Sequence, residues 1–507
     1  MRSIRPLALF LLGLALTPLA GCGDEKKEGA AQLAPARSVV YGQVSLHPDG
    51  DQAKAIDGLV GKFPGAGPPG GRVERLVARA FERSDTTVSY ERDVKPWLGD
   101  EAAFFAARLR AGGELRAAAA LVQADDEDAA VEAVQKASGE QGKEAEYEGK
   151  SYRRFDDGSV AGAFDGFLVI GQEEGFKAAV NASQGDALDG EDAFEEAVDD
   201  APDDGLATIF VNSRELARSL PGAQLGGFER ILRDPFTASV TADDAGVQLD
   251  SRLPASLADA FGPLLGEGTD LVTDLPSDSW LALGQPDLGK TLSGYLDLVA
   301  SSVGGRDVID QQLRAATGLD LQRDLFDWMG DFALFVRGTT ESSLGGALVI
   351  ESKDSAASAR ALRRLGSLAR REAATSGTRV VPLALPGGGT GFTLRDDEVP
   401  RPIHVFQRGD RVVVAYGNAA AKDALKPTST LGDSADFESA SNALGSDFAV
   451  STFVAVNPIL SLAEALGAAD DPDYQRVKPY LEPLGALLGG TKKEGDRVES
   501  RLRITLP

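Results

Sequence analysis

The sequence predicts an α+β fold built from two tandem homologous units, each a mainly antiparallel sheet with helices packed on one face. Two observations support this prediction. Strand-like and helix-like segments come in groups rather than in strict alternation, which is typical of α+β domains and not of parallel α/β folds. The segment Arg92–Asp100 also reappears without a gap as Arg323–Asp331, and other similar pairs follow in the same order in both halves of the chain.

These pairs define the predicted organisation of the 507 residues. Residues 39–254 form the first repeat unit and residues 279–507 form the second. Residues 255–278, which contain proline and glycine, are predicted to be a linker. Each unit is large for one domain but lies within the known range.

The hydrophobic pattern predicts the same series of elements in each unit. A strand and two helices lead to a tryptophan-containing segment, which is followed by two strands and a helix opened by acidic residues. A group of strands comes next, with Asp165-Gly166 and Gly409-Asp410 as turn signals. Helices and strands then close the unit. The first strand and the central helix are predicted at Val39–Leu46 and Asp126–Ala137 in the first unit, and at Ser279–Gly284 and Asp354–Ala374 in the second.

The N-terminus has the order of parts found in an export signal. Arg2 and Arg5 precede an apolar run, Leu7–Leu16. A run of this length suits the apolar region of a signal peptide and is shorter than the ~20 residues that a membrane-spanning helix requires.

Leu19-Ala20-Gly21-Cys22 follows this run and resembles the lipobox of bacterial lipoproteins. In that class the cysteine thiol is diacylglycerylated and the chain is cleaved before the cysteine. The resemblance implies a signal peptide at 1–21, an acylated Cys22 and a flexible tether at 22–38. It places the protein on the extracytoplasmic face of the cell membrane. The alternatives are an ordinary secretory signal and an uncleaved anchor.

Composition limits the chemistry that the body can perform. Cys22 is the only cysteine, so the chain has no intrachain disulfide and no thiolate metal site. The net charge is −26, and acidic residues are spread along the chain. Such a protein repels nucleic acid, which excludes nucleic-acid binding. A solvated acidic surface is the simpler explanation of this charge, and a buffer for divalent cations is the alternative.

The sharpest local motif is Trp-x-Gly-Asp, which occurs once in each half. We predict that the tryptophan is buried in the last turn of a helix, that glycine takes the left-handed position after it, and that aspartate begins the turn into a strand. The alternative is that paired acids act in catalysis or bind a cation. In the first half these residues are Asp93, Trp97, Gly99 and Asp100. In the second half they are Asp324, Trp328, Gly330 and Asp331.

Other catalytic and cofactor motifs find little support. His47 and His404 are the only histidines, and they do not fall at matching positions, because Gln285 is the expected counterpart of His47. The HExxH and G-x-S-x-G motifs are absent from the sequence, and the glycine-rich stretches do not match a phosphate-binding loop. We therefore expect no cofactor and no metal site.

The body of the chain resembles a bacterial family known only as a domain of unknown function, found in secreted and lipid-anchored proteins. The resemblance rests on Tyr41–Gly50, Lys62–Gly65 and Asp93–Asp100. It implies an envelope location and supplies no catalytic residues.

Together these observations predict a non-enzymatic binding or scaffold protein of the bacterial envelope. Its partners are expected to be the membrane, through the lipid on Cys22, and an envelope protein or an apolar ligand. One alternative is a carrier of an apolar ligand, such as a lipid, in a groove between the two units. A second alternative is a hydrolase that uses paired carboxylates.

Overall fold

The computed structural model of the protein describes residues 29–48, 50–83, 88–110, 113–198, 205–219, 234–255, 268–300, 305–376, 378–383, 385, 389–495 and 497–507. Within them the chain divides into two compact units, the first ending at Pro254 and the second beginning at Ala255. The predicted signal peptide at 1–21, Cys22 and residues 256–267 of the predicted linker lie outside the described residues.

The described part of the first unit is a sheet with helices and three short helical turns. Its strands are β1 (Val40–Ser45), β2 (Leu98–Leu109), β3 (Leu115–Ala124), β4 (Lys143–Tyr147), β5 (Lys150–Arg154), β6 (Ser159–Phe164), β7 (Phe167–Gln172), β8 (Ala207–Val211), β9 (Phe236–Asp243) and β10 (Gly246–Pro254). Its helices are α1 (Gly50–Val60), α2 (Arg72–Arg83), α3 (Glu127–Ser138), α4 (Glu173–Ala182), α5 (Asp192–Val198) and α6 (Ser213–Ser219). The turns are Ala30–Leu33, Tyr90–Val94 and Leu188–Gly190.

The second unit contains the same kinds of elements. Its strands are β11 (Ser279–Gln285), β12 (Met329–Arg337), β13 (Gly345–Ser352), β14 (Arg379–Pro382), β15 (Thr390–Arg395), β16 (Ile403–Arg408), β17 (Arg411–Tyr416), β18 (Ala449–Ala455), β19 (Ala486–Glu494) and β20 (Arg497–Thr505). Its helices are α7 (Leu288–Ala300), α8 (Arg306–Thr317), α9 (Ser355–Ser376), α10 (Asn418–Asp423), α11 (Ala435–Leu444), α12 (Val456–Ala465) and α13 (Pro472–Leu481). The turns are Asp270–Val272, Leu321–Phe326, Leu431–Asp433 and Ala468–Asp470.

The two sheets have the same strand order, and their neighbouring strands run antiparallel. In the first unit the order is β10-β9-β8-β1-β2-β3-β7-β6-β5-β4. In the second it is β20-β19-β18-β11-β12-β13-β17-β16-β15-β14. Each strand of the second unit takes the place of the strand ten numbers earlier. The predicted α+β class and the two homologous antiparallel units are confirmed.

Each unit has its own hydrophobic core on one face of its sheet. In the first unit, Phe176 of α4 is fully buried and packs against Tyr152 of β5, with ring centroids 4.6 Å apart. In the second unit, Phe437 of α11 packs against Phe453 of β18, with ring centroids 5.4 Å apart. In addition, α9 covers one end of the opposite face of the second sheet, where it buries Trp328. Burial of aromatic and aliphatic side chains thus stabilises each unit separately.

The predicted flexible tether at 22–38 is wrong for its second half. Ala30, Leu33 and Ala34 are fully buried in the core of the first unit. The main chain is also bonded there, because Leu188 N–H donates to Ala34 O over 2.8 Å. Small side chains are common in linkers, but here they fit a tightly packed site beside the sheet. Residues 29–38 therefore belong to the folded body.

The end of the predicted linker, at 268–278, is corrected for the same reason. Val272 is fully buried, and Leu271 and Leu275 are buried with it in the second core. Leu431 N–H donates to Leu275 O over 2.6 Å, which repeats the bond that holds the start of the first unit. Each unit thus begins about ten residues earlier than the predicted positions 39 and 279.

Candidate functional site

The tryptophan motif forms the same corner in both units. Trp97 follows the π-helical turn Tyr90–Val94 and precedes β2, and Trp328 follows the π-helical turn Leu321–Phe326 and precedes β12. Both indoles are 3% exposed. Trp97 Nε1–H donates to Asp93 O over 2.7 Å, and Trp328 Nε1–H donates to Asp324 O over 3.1 Å. A buried indole requires such an acceptor, and the widened turn supplies it.

The side chains of Asp93 and Asp324 close these turns. Asp93 accepts the N–H of Ser89 over 2.7 Å, and Asp324 accepts the N–H of Asp320 over 3.0 Å. The preceding arginine in each unit also donates to the carboxylate. A carboxylate that accepts a main-chain N–H at the start of a turn satisfies a donor that would otherwise be unpaired.

A cation from the central helix completes each cluster. Lys136 of α3 lies 2.6 Å from Asp93, and Arg364 of α9 lies 2.8 Å from Asp324. The central helix of each unit is therefore joined to the tryptophan corner by a charge-assisted bond. The two cations were not predicted, although Lys136 and Arg364 fall on the helices that the sequence places after the motif.

These contacts keep both carboxylates ionised. Partial burial alone raises the pKa of Asp93, but hydrogen bonds from Arg92, Lys136 and Ser89 outweigh it and hold the pKa well below its usual range. Hydrogen bonds from Arg323 and from Asp320 N–H, with the charge of Arg364, lower the pKa of Asp324 to about 2. A general acid needs a proton near neutral pH, and neither group retains one there.

Asp100 and Asp331 hold a different part of each unit. Asp100 Oδ1 lies 3.0 Å from His47 Nδ1, in the loop after β1. Asp331 accepts the hydroxyl of Thr269 over 3.0 Å and the N–H of Asp287 over 3.1 Å. Within the described residues Asp100 shares no bonding partner with Asp93, and Asp331 shares none with Asp324, so the two acids of each unit belong to separate clusters.

The expected pairing of His47 with Gln285 is wrong by two residues. In the sheet, Gln285 lies opposite Phe332, and the equivalent position opposite Glu101 is occupied by Ser45. His47 therefore lies beyond the strand, in a loop that differs between the units.

His404 has a structural role in the second unit. It is 6% exposed, with Nδ1 3.0 Å from Thr393 Oγ1 and Nε2 2.8 Å from Asn418 Oδ1. The amide oxygen only accepts, so Nε2 donates to it and Nδ1 accepts the threonine hydroxyl. Both ring nitrogens are satisfied within the fold.

The predicted left-handed conformation of Gly99 and Gly330 is wrong. Both residues lie in strands, β2 and β12, and neither has a positive φ. Glycine is required because the neighbouring strand approaches closely. A Cβ on Gly99 would lie 2.7 Å from Gln123 Cγ, and one on Gly330 would lie 2.8 Å from Glu351 O.

Sequence reasoning missed Glu101, a half-buried carboxylate of the first unit. Burial raises the pKa of Glu101 to about 7, although a hydrogen bond from Ala30 N–H lowers it. The residue at the same motif position in the second unit is Phe332, which is 8% exposed. The apolar residue at the matching position is the signal in the sequence that this position is shielded from bulk solvent.

Sites for a large ligand or a metal are not evident among the described residues. A small pocket of about 10 Å³, room for about one water molecule, lies in the second unit and is lined among others by Leu271, Asp274 and Arg411. Within the same part of the chain, no three His, Cys, Asp or Glu side chains are grouped so as to hold a metal ion. The described helices also include none with the length and apolarity needed to cross a membrane.

Comparison with known proteins gives one extensive match and several slight ones. No characterised protein has a significantly similar sequence. Crystal forms IV and I of TP0453 are 11% and 8% identical to this chain, with TM-scores of 0.26 and 0.25. The two matches span 44% and 45% of this chain, and 80% and 79% of the TP0453 chain, respectively. TM-scores of this size support no conclusion about function.

The extensive match is to a family model described as a protein of unknown function, DUF3352, which covers residues 8–466. This range includes the first unit, most of the second, and both tryptophan motifs. The chain therefore belongs to the DUF3352 family of proteins of unknown function.

Proposed function

We propose that the protein is a lipid-anchored, extracytoplasmic binding or scaffold protein of the bacterial envelope, without catalytic activity. The observation that carries the proposal is the bonding of the repeat-matched acids. Asp93 and Asp324 each close a turn and hold a cation from the central helix. The motif shared by the two units is thus explained by the stability of a corner, and catalysis is not needed to explain it.

The proposed anchor is supported by the sequence before the folded body. The apolar run, the small pair Ala20-Gly21 and Cys22 occur in the order of a lipoprotein signal. The family match begins at residue 8, so it includes this stretch. Two acyl chains on one cysteine give a stable anchor, because each buried methylene contributes roughly 0.8 kcal/mol and one chain alone binds reversibly.

The anchor is tested by metabolic labelling with a fatty acid. We expect label on the wild-type protein and none on Cys22→Ser, because the chain offers no other thiol. Glu28→Ala is the matched control, since it changes the same segment and keeps the cysteine, and it should retain the label. Equal label on the wild type and on Cys22→Ser would contradict the proposal.

The absence of catalysis is tested with the purified protein. We expect no turnover of ester or glycoside substrates above the background rate. Hydrolysis that is lost in Asp93→Asn or Asp324→Asn would instead assign the motif to a carboxylate-dependent hydrolase.

A carrier of an apolar ligand is a second candidate, favoured by one feature of the second sheet. Alternation along the strands places Leu281, Leu283 and Leu334 on the face opposite the main core. Val454 and Leu487 continue this row through β18 and β19. All five side chains are only half-buried, so this face offers aliphatic surface to an apolar molecule.

Native mass spectrometry with lipid extraction separates the two candidates. Lipid that co-purifies with the body in stoichiometric amount, and is lost in Leu334→Gln, would support a carrier. A body free of lipid would leave the binding or scaffold role. The glutamine is placed on the half-buried face so that the core itself is not altered.

A further inference from the structure

We propose that Glu101 controls the docking of the N-terminal segment (residues 29–38) on the first unit, so that this segment is held more firmly in acid than in alkaline conditions. The consequence for the membrane anchor rests on the proposed function. The docking itself does not.

The N-terminal segment and Glu101 meet at the first turn of the folded body. The N–H of Ala30 donates to both oxygens of Glu101, over 3.2 Å each. A Cβ on Gly29 would lie 3.6 Å from the same carboxylate. Beyond this contact, Leu33, Ala34 and Ser38 are fully buried. Glu101 is therefore the polar partner of the end of the segment that leads toward Cys22.

The groups that face Glu101 do not compensate a negative charge. Burial, and after it the charges of Glu101 and of Asp189 in the turn Leu188–Gly190, raises the pKa of Tyr41 on β1, so two acids lie near this side chain. On β3 the neighbour is the uncharged Gln123, whose Oε1 accepts Asp100 N–H over 2.9 Å. The turn Ala30–Leu33 offers only its main-chain N–H. Within the part of the chain that the structure describes, no lysine or arginine forms an ion pair with Glu101.

The second unit holds its first segment without an acid at this position. Phe332 occupies the position of Glu101, and the start of that unit is held by the hydroxyl of Thr269 on Asp331. The two segments are otherwise bonded alike. Ser38 Oγ–H donates to Pro35 O over 2.7 Å, and Ser279 Oγ–H donates to Pro276 O over 2.6 Å. The second unit is thus an internal control in which docking does not depend on Glu101.

The direction of the pH effect follows from burial. A free glutamate ionises near pH 4.5, and burial raises the pKa of docked Glu101 to about 7. The docked state therefore keeps its proton to higher pH, and docking weakens as pH rises through this interval. With these two pKa values the docking constant falls about tenfold between pH 6 and pH 8.

Docking determines how much chain separates the anchor from the body. Residues 23–28 lie between Cys22 and the docked segment, and six extended residues span at most roughly 20 Å. Release up to Ser38 would extend the maximum to roughly 55 Å. The first unit is thus kept closer to the membrane in acid.

Hydrogen–deuterium exchange on the full-length protein tests this inference. Exchange is measured at pH 6 and pH 8, with times scaled to the intrinsic exchange rate, for peptides covering 30–38 and 270–279. We expect the protection of 30–38 to be about tenfold lower at pH 8, while that of 270–279 stays constant. In Glu101→Gln, which is neutral at both pH values, the difference at 30–38 should disappear.

Equal protection of 30–38 at both pH values in the wild type would overturn the inference. The same fall in Glu101→Gln as in the wild type would overturn it too. Glu101→Phe, which installs the residue of the second unit, provides a second neutral variant if Glu101→Gln does not fold. Because exchange does not require an acyl group, a failed labelling experiment at Cys22 contradicts the anchor and leaves this result unaffected.

Discussion

Replacement of Asp93 or Asp324 by alanine is expected to destabilise the affected unit by about 1–3 kcal/mol, because it leaves a partly buried main-chain N–H and a half-exposed cation without their acceptor. The side chains of these aspartates are only 12% and 11% exposed, but those of Lys136 and Arg364 are 42% and 51% exposed, so solvent screens the ion pairs and the main-chain bonds carry most of the expected effect. Asparagine can still accept the N–H and should cost less than alanine.

The measurement is urea unfolding followed by hydrogen exchange of peptides from each unit. Asp93→Ala should shift the transition of the first unit alone, and Asp324→Ala that of the second. Asp397→Ala is the matched control, since Asp397 also pairs with an arginine but is 91% exposed, and its loss should cost less than about 0.5 kcal/mol. Equal losses of stability in Asp397→Ala and Asp324→Ala would contradict the structural role that we assign to the motif.

Low pH should reduce the stability of the second unit, because it protonates Asp324. The pKa of Asp324 is about 2 in the folded chain and 3.8 without its partners. A lowered pKa in the folded state contributes stability that is present above about pH 4 and is lost as pH falls through 2. We expect this contribution to be about 1–2 kcal/mol, and it should be absent from the pH profile of Asp324→Asn.

The repeat was visible in the sequence because the tryptophan corner requires particular residue types. Trp97, Gly99 and Asp100 each have a role that few other residues fill, so their copies remained recognisable. The first strand and the central helix followed from local patterns as well: Val39–Leu46 was predicted where β1 covers Val40–Ser45, and Asp354–Ala374 where α9 covers Ser355–Ser376.

The pairing of the strands, in contrast, could not be predicted from the local sequence. β1 lies between β2 and β8, whose residues are more than 50 and more than 160 positions away. No local pattern specifies which distant strands become neighbours, since this depends on how the whole core packs. The common order of ten strands therefore emerges only from the structure.

The start of each unit was misplaced for a related reason. Gly29–Ser38 contains four alanines and few large apolar residues, and such composition indicates a tether when only the local sequence is considered. Its side chains become core residues because a distant turn, Leu188–Gly190, supplies the partners for its main chain. Glu101 was missed with it, because the meaning of this carboxylate depends on the docking of that segment.

Replacement of Gly330 tests whether the motif requires glycine for close packing between strands and not for a left-handed conformation. If glycine were needed for a left-handed turn, alanine would be strained by its backbone conformation, but Gly330 does not have a positive φ. Its Cβ would instead meet the main-chain oxygen of Glu351 at 2.8 Å, and a main-chain atom cannot turn aside as a side chain can. We expect Gly330→Ala to destabilise the second unit by about 1–3 kcal/mol. Gly294→Ala, in α7 of the same unit, is the control: its Cβ would meet nothing within 4 Å, and alanine should stabilise the helix by about 0.5–1 kcal/mol. Urea unfolding of the two variants should therefore shift in opposite directions, and a neutral Gly330→Ala would show that β12 and β13 can separate without cost at the tryptophan corner.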